Sequence, residues 1–123
     1  MVESDTITQL QVSVINNLGD NTSLTGHCRS PDRDIGIQTV EFGAGFGWNV
    51  DVVVRKSEAY YCELSSGKLH GHFGLFETAR DYGRCGGGGG GGGGGGCVWR
   101  VDWDGLYLYV KKSDDYVLQF RWP

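Results

Sequence analysis

No run of apolar residues approaches the ~20 that a membrane helix requires, so no membrane insertion is expected. Basic residues are in the minority: 11 Lys and Arg against 15 Asp and Glu leave a formal net charge of −4. Surfaces that hold nucleic acid or anionic lipid need a basic patch, so neither is expected as the main partner. There is no CxxC or CxxH spacing, which leaves a zinc module without support. The GxSxG elbow, HExxH and the phosphate loop are also missing; the long glycine tract lacks the Lys-Ser/Thr that would follow it in a phosphate loop. No catalytic residue is nominated and no cofactor is expected. A dispersed carboxylate pair of the glycosidase kind would need only a suitable separation in space, which sequence does not display. Nor is there a signal peptide, since Met1-Val2-Glu3-Ser4-Asp5 is polar. Taken alone that points to the cytosol. We read the chain instead as a mature segment preceded by an added initiator Met.

What is present is strand material. The 123 residues are one domain's worth and bury about two-thirds of the surface that the unfolded chain exposes. Four Trp, six Tyr and five Phe accompany Val and Leu throughout, and such residues suit pleated, half-buried strands. Residues 9–16 alternate, with Leu10, Val12 and Val14 on one face. A turn follows over 16–21, then a short strand at 24–28 and a charged loop at 29–34. Residues 46–54 are the clearest strand: Phe46, Trp48, Val50, Val52 and Val54 share one face, whereas a helix would spread them all round. Further strands are expected at 60–64 and 68–77, at 98–103 and 106–110 on either side of Asp104-Gly105, and at 116–122 after a turn at 113–115. No stretch shows helical periodicity. Seven to nine short strands with frequent turns predict an all-β fold, a small antiparallel sandwich or a barrel.

Cys28, Cys62, Cys85 and Cys97 are an even set in a short chain, which predicts two disulfides in an oxidising compartment. Three pairings are possible. Asn21-Thr22-Ser23 is an N-glycosylation sequon in a polar, loop-like stretch. His70 and His72 fall on one strand face at a spacing that can bind metal, with His27 a distant third. No carboxylate or cysteine lies at helpful spacing, so they read as ordinary polar residues on a sheet face and no metal site is expected. Most of Trp48, Trp99, Trp103 and Trp122 should be core, and an exposed one would be a candidate interface anchor. Gly86 to Gly96 are eleven consecutive glycines, half of the chain's 22. As a coil they would span about 17–20 Å. They read as a flexible replacement for another loop or as a stretch of unassigned residues, with a low-complexity insert as the third option.

Several segments resemble the plant self-incompatibility protein family, the S-protein homologues. They are Val14-Ile15-Asn16-Asn17; Gly26-His27-Cys28-Arg29-Ser30-Pro31-Asp32-Arg33-Asp34-Ile35-Gly36; Trp48 in its strand; and Tyr61-Cys62. The second half adds Ala79-Arg80-Asp81 before Cys85, then Cys97-Val98-Trp99 and Asp104-Gly105-Leu106-Tyr107. The order of these segments, with four cysteines in register, carries the resemblance from about Leu10 to Trp122. It implies a single S-protein-homologue β-sandwich domain over residues 1–123, with the glycine tract at 86–96 as a flexible loop within it. It also implies secretion and two disulfides, Cys28 with Cys97 and Cys62 with Cys85. The best understood members are female-side ligands that recognise a pollen receptor and trigger calcium influx. Between Cys85 and Cys97 the chain departs from the family, which has a short mixed segment there.

The expected function is therefore that of a secreted signalling ligand binding a membrane receptor protein, acting as a monomer and not as an enzyme. Asp32, Arg33 and Asp34 are candidate partner-reading residues, as are Arg80, Asp81 and Tyr82 on a second loop, because loops on a rigid scaffold carry recognition. Either group has a plainer reading, as a solvated turn or a local ion pair. The alternative function is a secreted carbohydrate- or cell-wall-binding module. An exposed aromatic platform in a groove would favour carbohydrate, and a charged, loop-built surface without a pocket would favour a protein.

Overall fold

The computed structural model describes residues 7–53, 56–85 and 96–123. In chain order the elements are β1 (Ile7–Asn16), β2 (Ser23–Arg29), β3 (Asp34–Glu41), β4 (Gly45–Val53), β5 (Ala59–Ser66), β6 (Leu69–Glu77), the single turn α1 (Thr78–Asp81), β7 (Gly96–Asp102), β8 (Gly105–Val110) and β9 (Asp115–Arg121). Two sheets form, ordered β4-β1-β7-β8-β9 and β3-β2-β5-β6. Neighbours run antiparallel except β1 and β7, which run parallel with Val12 beside Cys97. The expected antiparallel sandwich is what forms, with that one pair parallel.

Alternation decides which side chains meet between the sheets. β1 sends in Leu10, Val12 and Val14, and β4 sends in Trp48, Val50 and Val52. Trp99, Val101, Leu106 and Leu108 complete that layer. Leu24, Tyr60, Leu64, Phe73 and Leu75 face them from the second sheet. Trp99 Nε1 donates to the Leu75 carbonyl at 2.9 Å, so the largest core side chain also ties one sheet to the other. Phe73 meets Phe120 and Trp122 at ring-centroid distances of 5.5 and 5.4 Å, closing the side where β6 faces β9.

Three features escaped the sequence pattern. β3 has no apolar alternation because the pairing with β2 slips between Cys28 and Arg29. Ile35 and Val40 both pack on the core, five residues apart, while Ile37 is 70% exposed on this edge strand. α1 is too short to leave a period. The β7–β8 hairpin turns at Trp103-Asp104, one residue earlier than Asp104-Gly105, because Asp102 pairs with Gly105. Gly105 belongs to the strand, where any Cβ would collide with the Phe120 carbonyl oxygen. Val54, expected to extend β4, lies outside the described residues, as do glycines 86–95; Gly96 opens β7.

Candidate partner-binding surface

The strand directions put the loops that follow β2, β4, β6 and β8 at one end of the sandwich. Both predicted partner loops fall there, at opposite edges of the molecule. The β2–β3 loop is closed by Ser30 N donating to the Arg33 carbonyl at 2.8 Å. Asp32 and Arg33 stand exposed on it, and Asp34, which opens β3, is exposed beside them. Arg33 Nη1 donates to the Asn49 carbonyl of β4 at 2.6 Å, which fastens the loop across the gap between the sheets. Lys56 lies 3.7 Å from Asp32 and 3.3 Å from Glu58, joining this loop to the next. The Glu58 carboxylate, more than that of Asp32, holds the Lys56 ammonium above its ordinary pKa.

Asp34 Oδ1 accepts from Gly36 N at 2.7 Å and lies 2.7 Å from His27 Nε2. The Gly36 N–H first and the His27 contact second favour the ionised carboxyl, so its pKa lies below the ordinary aspartate value. The linkage has a definite sign. A depressed folded pKa gives stability that is complete above the unfolded value of about 3.9 and is lost as pH falls through the lower folded value. We expect a carboxyl-carbon NMR titration of Asp34 to have its midpoint below 3.9 in wild type. In His27→Ala it should move partway back; no movement would show that the imidazole contributes nothing.

The second predicted loop is corrected at Asp81. Asp81 is fully buried, so it presents nothing to a partner. Its carboxylate accepts from Glu77 N at 2.9 Å, from Arg80 Nε and Nη2 at 2.8 and 2.6 Å, and from Arg84 Nε at 2.8 Å. Arg80 also reaches the Gly74 carbonyl at 2.9 Å, and its pKa is raised by the bond to Asp81. Tyr82 is half-buried against the core. Residues 80–84 form a clasp over the β6–β9 side, with Arg84 Nη1 held by Gln119 Oε1 at 2.7 Å. Sequence reasoning passed over Arg84 and Gln119. The signal was Asp81 and Arg84 at i,i+3, which has meaning only once a helical turn is placed there.

The pairing of the cysteines is corrected too. Cys28 bonds Cys62, and Cys85 bonds Cys97. Cys28 and Cys62 sit directly opposite each other on β2 and β5, with Cα atoms 4.0 Å apart. Cys85 follows the clasp and meets Cys97 at the start of β7. Cys28 is one residue from the β2–β3 loop, so each bridge braces the foot of one of the two predicted partner loops.

The opposite end is organised by Asn16, buried and fully bonded. Its Nδ2 donates to the carbonyls of Thr22 and Val40 at 3.1 and 3.0 Å, and its Oδ1 accepts from Leu18 N at 2.9 Å. Asn21 stands exposed there in a left-handed conformation, φ 61°. Beside it runs a groove of about 540 Å³ that includes Trp103, 58% exposed. Trp48 and Trp99 are core and Trp122 is half-buried. His70 and His72 are exposed on the outer face of their sheet, His72 stacking on Tyr61 at 5.7 Å. Among the described residues no cluster of three or more His, Cys, Asp or Glu is placed to hold a metal ion, and no helix is long and apolar enough to cross a membrane.

A family profile described as plant self-incompatibility protein S1 matches residues 11–122. The chain is similar to S-protein homolog 24 of Arabidopsis thaliana, 32% identical over 84% of this chain and 64% of that one. It is similar to S-protein homolog 1 of the same plant, at 29% over 94% and 73%. It is also similar to self-incompatibility protein S1 of Papaver rhoeas, at 29% over 80% and 66%. Among solved structures it resembles a self-incompatibility protein homologue from what is described as a widespread family of small, highly stable, secreted plant proteins. The TM-score is 0.62, with 16% identity over 94% of this chain and 95% of the other.

Proposed function

The chain belongs to the plant self-incompatibility protein S1 family, a group of small secreted proteins, and from that premise we propose that it is an extracellular ligand for a membrane receptor protein. It acts as a monomeric binder and not as an enzyme. The observation that supports this reading is the β2–β3 loop. Asp32, Arg33 and Asp34 offer both signs of charge to solvent on a backbone already fixed by Asn49, Gly36 and the Cys28–Cys62 bridge beneath. A preformed loop avoids most of the ordering cost of association, and complementary charges set partner choice and encounter rate.

The test uses labelled protein on living plant cells, pollen tubes included. Binding should saturate and be competed by unlabelled wild type. Asp32→Lys/Arg33→Glu, with an unchanged melting temperature, should compete at least about tenfold less well, equivalent to ~1.4 kcal/mol. Equal competition would remove the loop from the interface, and the absence of saturable binding would overturn the ligand reading. The carbohydrate-binding alternative draws support from a different place, the exposed Trp103 beside its groove.

A further inference from the structure

We propose that Asn21 carries an N-linked glycan whose first sugars lie in the neighbouring groove against Trp103, so that the sugar this protein holds is its own. The inference rests on secretion, which exposes the chain to the glycosylation machinery. The groove runs between residues 21–23, residues 66–69 and Trp103. Asn21 is therefore one of its walls, and a sugar attached there starts inside it.

Four observations meet at this place. The sequon Asn21-Thr22-Ser23 is intact, and Asn21 is exposed at the tip of a turn. Among the described residues no hydrogen bond engages its side-chain amide, so Nδ2 points to no competing partner. The turn is rigid: Asn16 holds the Thr22 carbonyl, Phe42 N donates to the same oxygen at 3.1 Å, and Asn17 Nδ2 reaches Asp102 Oδ1 at 3.0 Å beside Trp103. Trp103 is the most exposed aromatic residue of the described chain, and its indole stands at the hairpin tip beside Gly19, with Nε1 3.8 Å from where a Gly19 Cβ would stand.

A large apolar ring left in water is costly without a cover, and a pyranose suits it, because its axial C–H bonds meet the negative face of the indole. The groove's volume falls within the roughly 300–1,000 Å³ typical of ligand clefts. Lys68 and Ser66 line it too and supply donors for sugar hydroxyls and the N-acetyl carbonyl. In the attachment step, a bond forms between Asn21 Nδ2 and the anomeric carbon of N-acetylglucosamine. The bond from that carbon to the pyrophosphate of a lipid-linked oligosaccharide breaks, and the proton lost from Nδ2 leaves with the pyrophosphate.

The experiment compares wild type with Asn21→Gln and Ser23→Ala, all secreted from one eukaryotic host. Intact mass is read alongside acrylamide quenching of tryptophan emission. Trp48 and Trp99 are buried and Trp122 is half-buried, its Nε1 held by the Asp102 carbonyl, so the most readily quenched component belongs to Trp103. Wild type should be heavier by a glycan, and that component should be quenched roughly half as fast as in either variant, the ring being covered. Trp103→Phe should keep the mass shift and abolish the difference in quenching. A wild type without added mass overturns the proposal. So does a glycosylated protein quenched like the variants. If Asn21→Gln shows protection of Trp103 only on adding free chitobiose or cell-wall oligosaccharide, and wild type bears no glycan, the groove belongs to the carbohydrate-binding reading instead.

Discussion

Asp81→Asn is expected to lower the unfolding free energy by about 3–5 kcal/mol, the range found when one partner of a buried ion pair is removed. Guanidinium denaturation of the oxidised protein measures it. Asp81 has no exposed surface and receives four donors, from Glu77 N, Arg80 Nε and Nη2, and Arg84 Nε. An amide keeps the shape but turns an NH2 toward guanidinium groups and leaves the two arginines without their shared countercharge. Arg80 keeps the Gly74 carbonyl and Arg84 keeps Gln119, so the rest of the clasp survives and the loss reports on the carboxylate itself. Arg80→Ala should cost clearly less, because Arg84 still neutralises Asp81. A loss below about 1 kcal/mol in Asp81→Asn would mean the clasp is a surface ion pair in effect, whatever its burial.

Cys28→Ala/Cys62→Ala is expected to cost about 3.8 kcal/mol on the loop-entropy account, from the 34-residue separation that the bridge closes. Cys85→Ala/Cys97→Ala, closing 12, should cost about 2.8 kcal/mol. The first pair sits wholly inside the core, so truncating it also leaves a cavity and widens the gap. Against the 5–15 kcal/mol of a typical domain, either loss is a large share. Thermal and chemical denaturation of the two double variants rank them. A peptide map without reductant should join the Cys28 peptide to that of Cys62. A larger loss from the second pair would show that the unfolded chain is already compact around the first.

The core was legible in the sequence because burial there follows a period of two without interruption: Leu10, Val12 and Val14, or Trp48, Val50 and Val52, need no knowledge of their partners. β3 was not, because the slip in its pairing with β2 destroys the period, and edge strands bury too little to leave one. The cysteine pairing was not, since it depends on register between strands far apart in sequence, and only the β2–β5 register sets Cys28 against Cys62. The resemblance supplied the family and the fold but mispaired the bridges. At the partner surface the split is instructive. Asp32, Arg33 and Asp34 were read as an exposed loop, and all three are exposed, Asp34 as the first residue of β3. Arg80, Asp81 and Tyr82 have the same polar look, yet Asp81 points inward, and no composition rule separates an aspartate in water from one enclosed by two arginines.

The parallel pairing of β1 with β7 bears on how the chain must be made. β1 is flanked on one side by β4 and on the other by a strand that begins only at Gly96, so Gln11 to Asn16 keep an open row of backbone donors and acceptors until most of the polypeptide exists. An uncovered edge of that kind, carrying Leu10, Val12 and Val14 on its inner face, is a template for pairing with other chains. Truncations ending before β7 should therefore aggregate instead of forming a smaller sandwich. β1, made before every other strand of the sandwich, is among the last to be enclosed, which puts the hazard of misassembly in the interval before β7 is made.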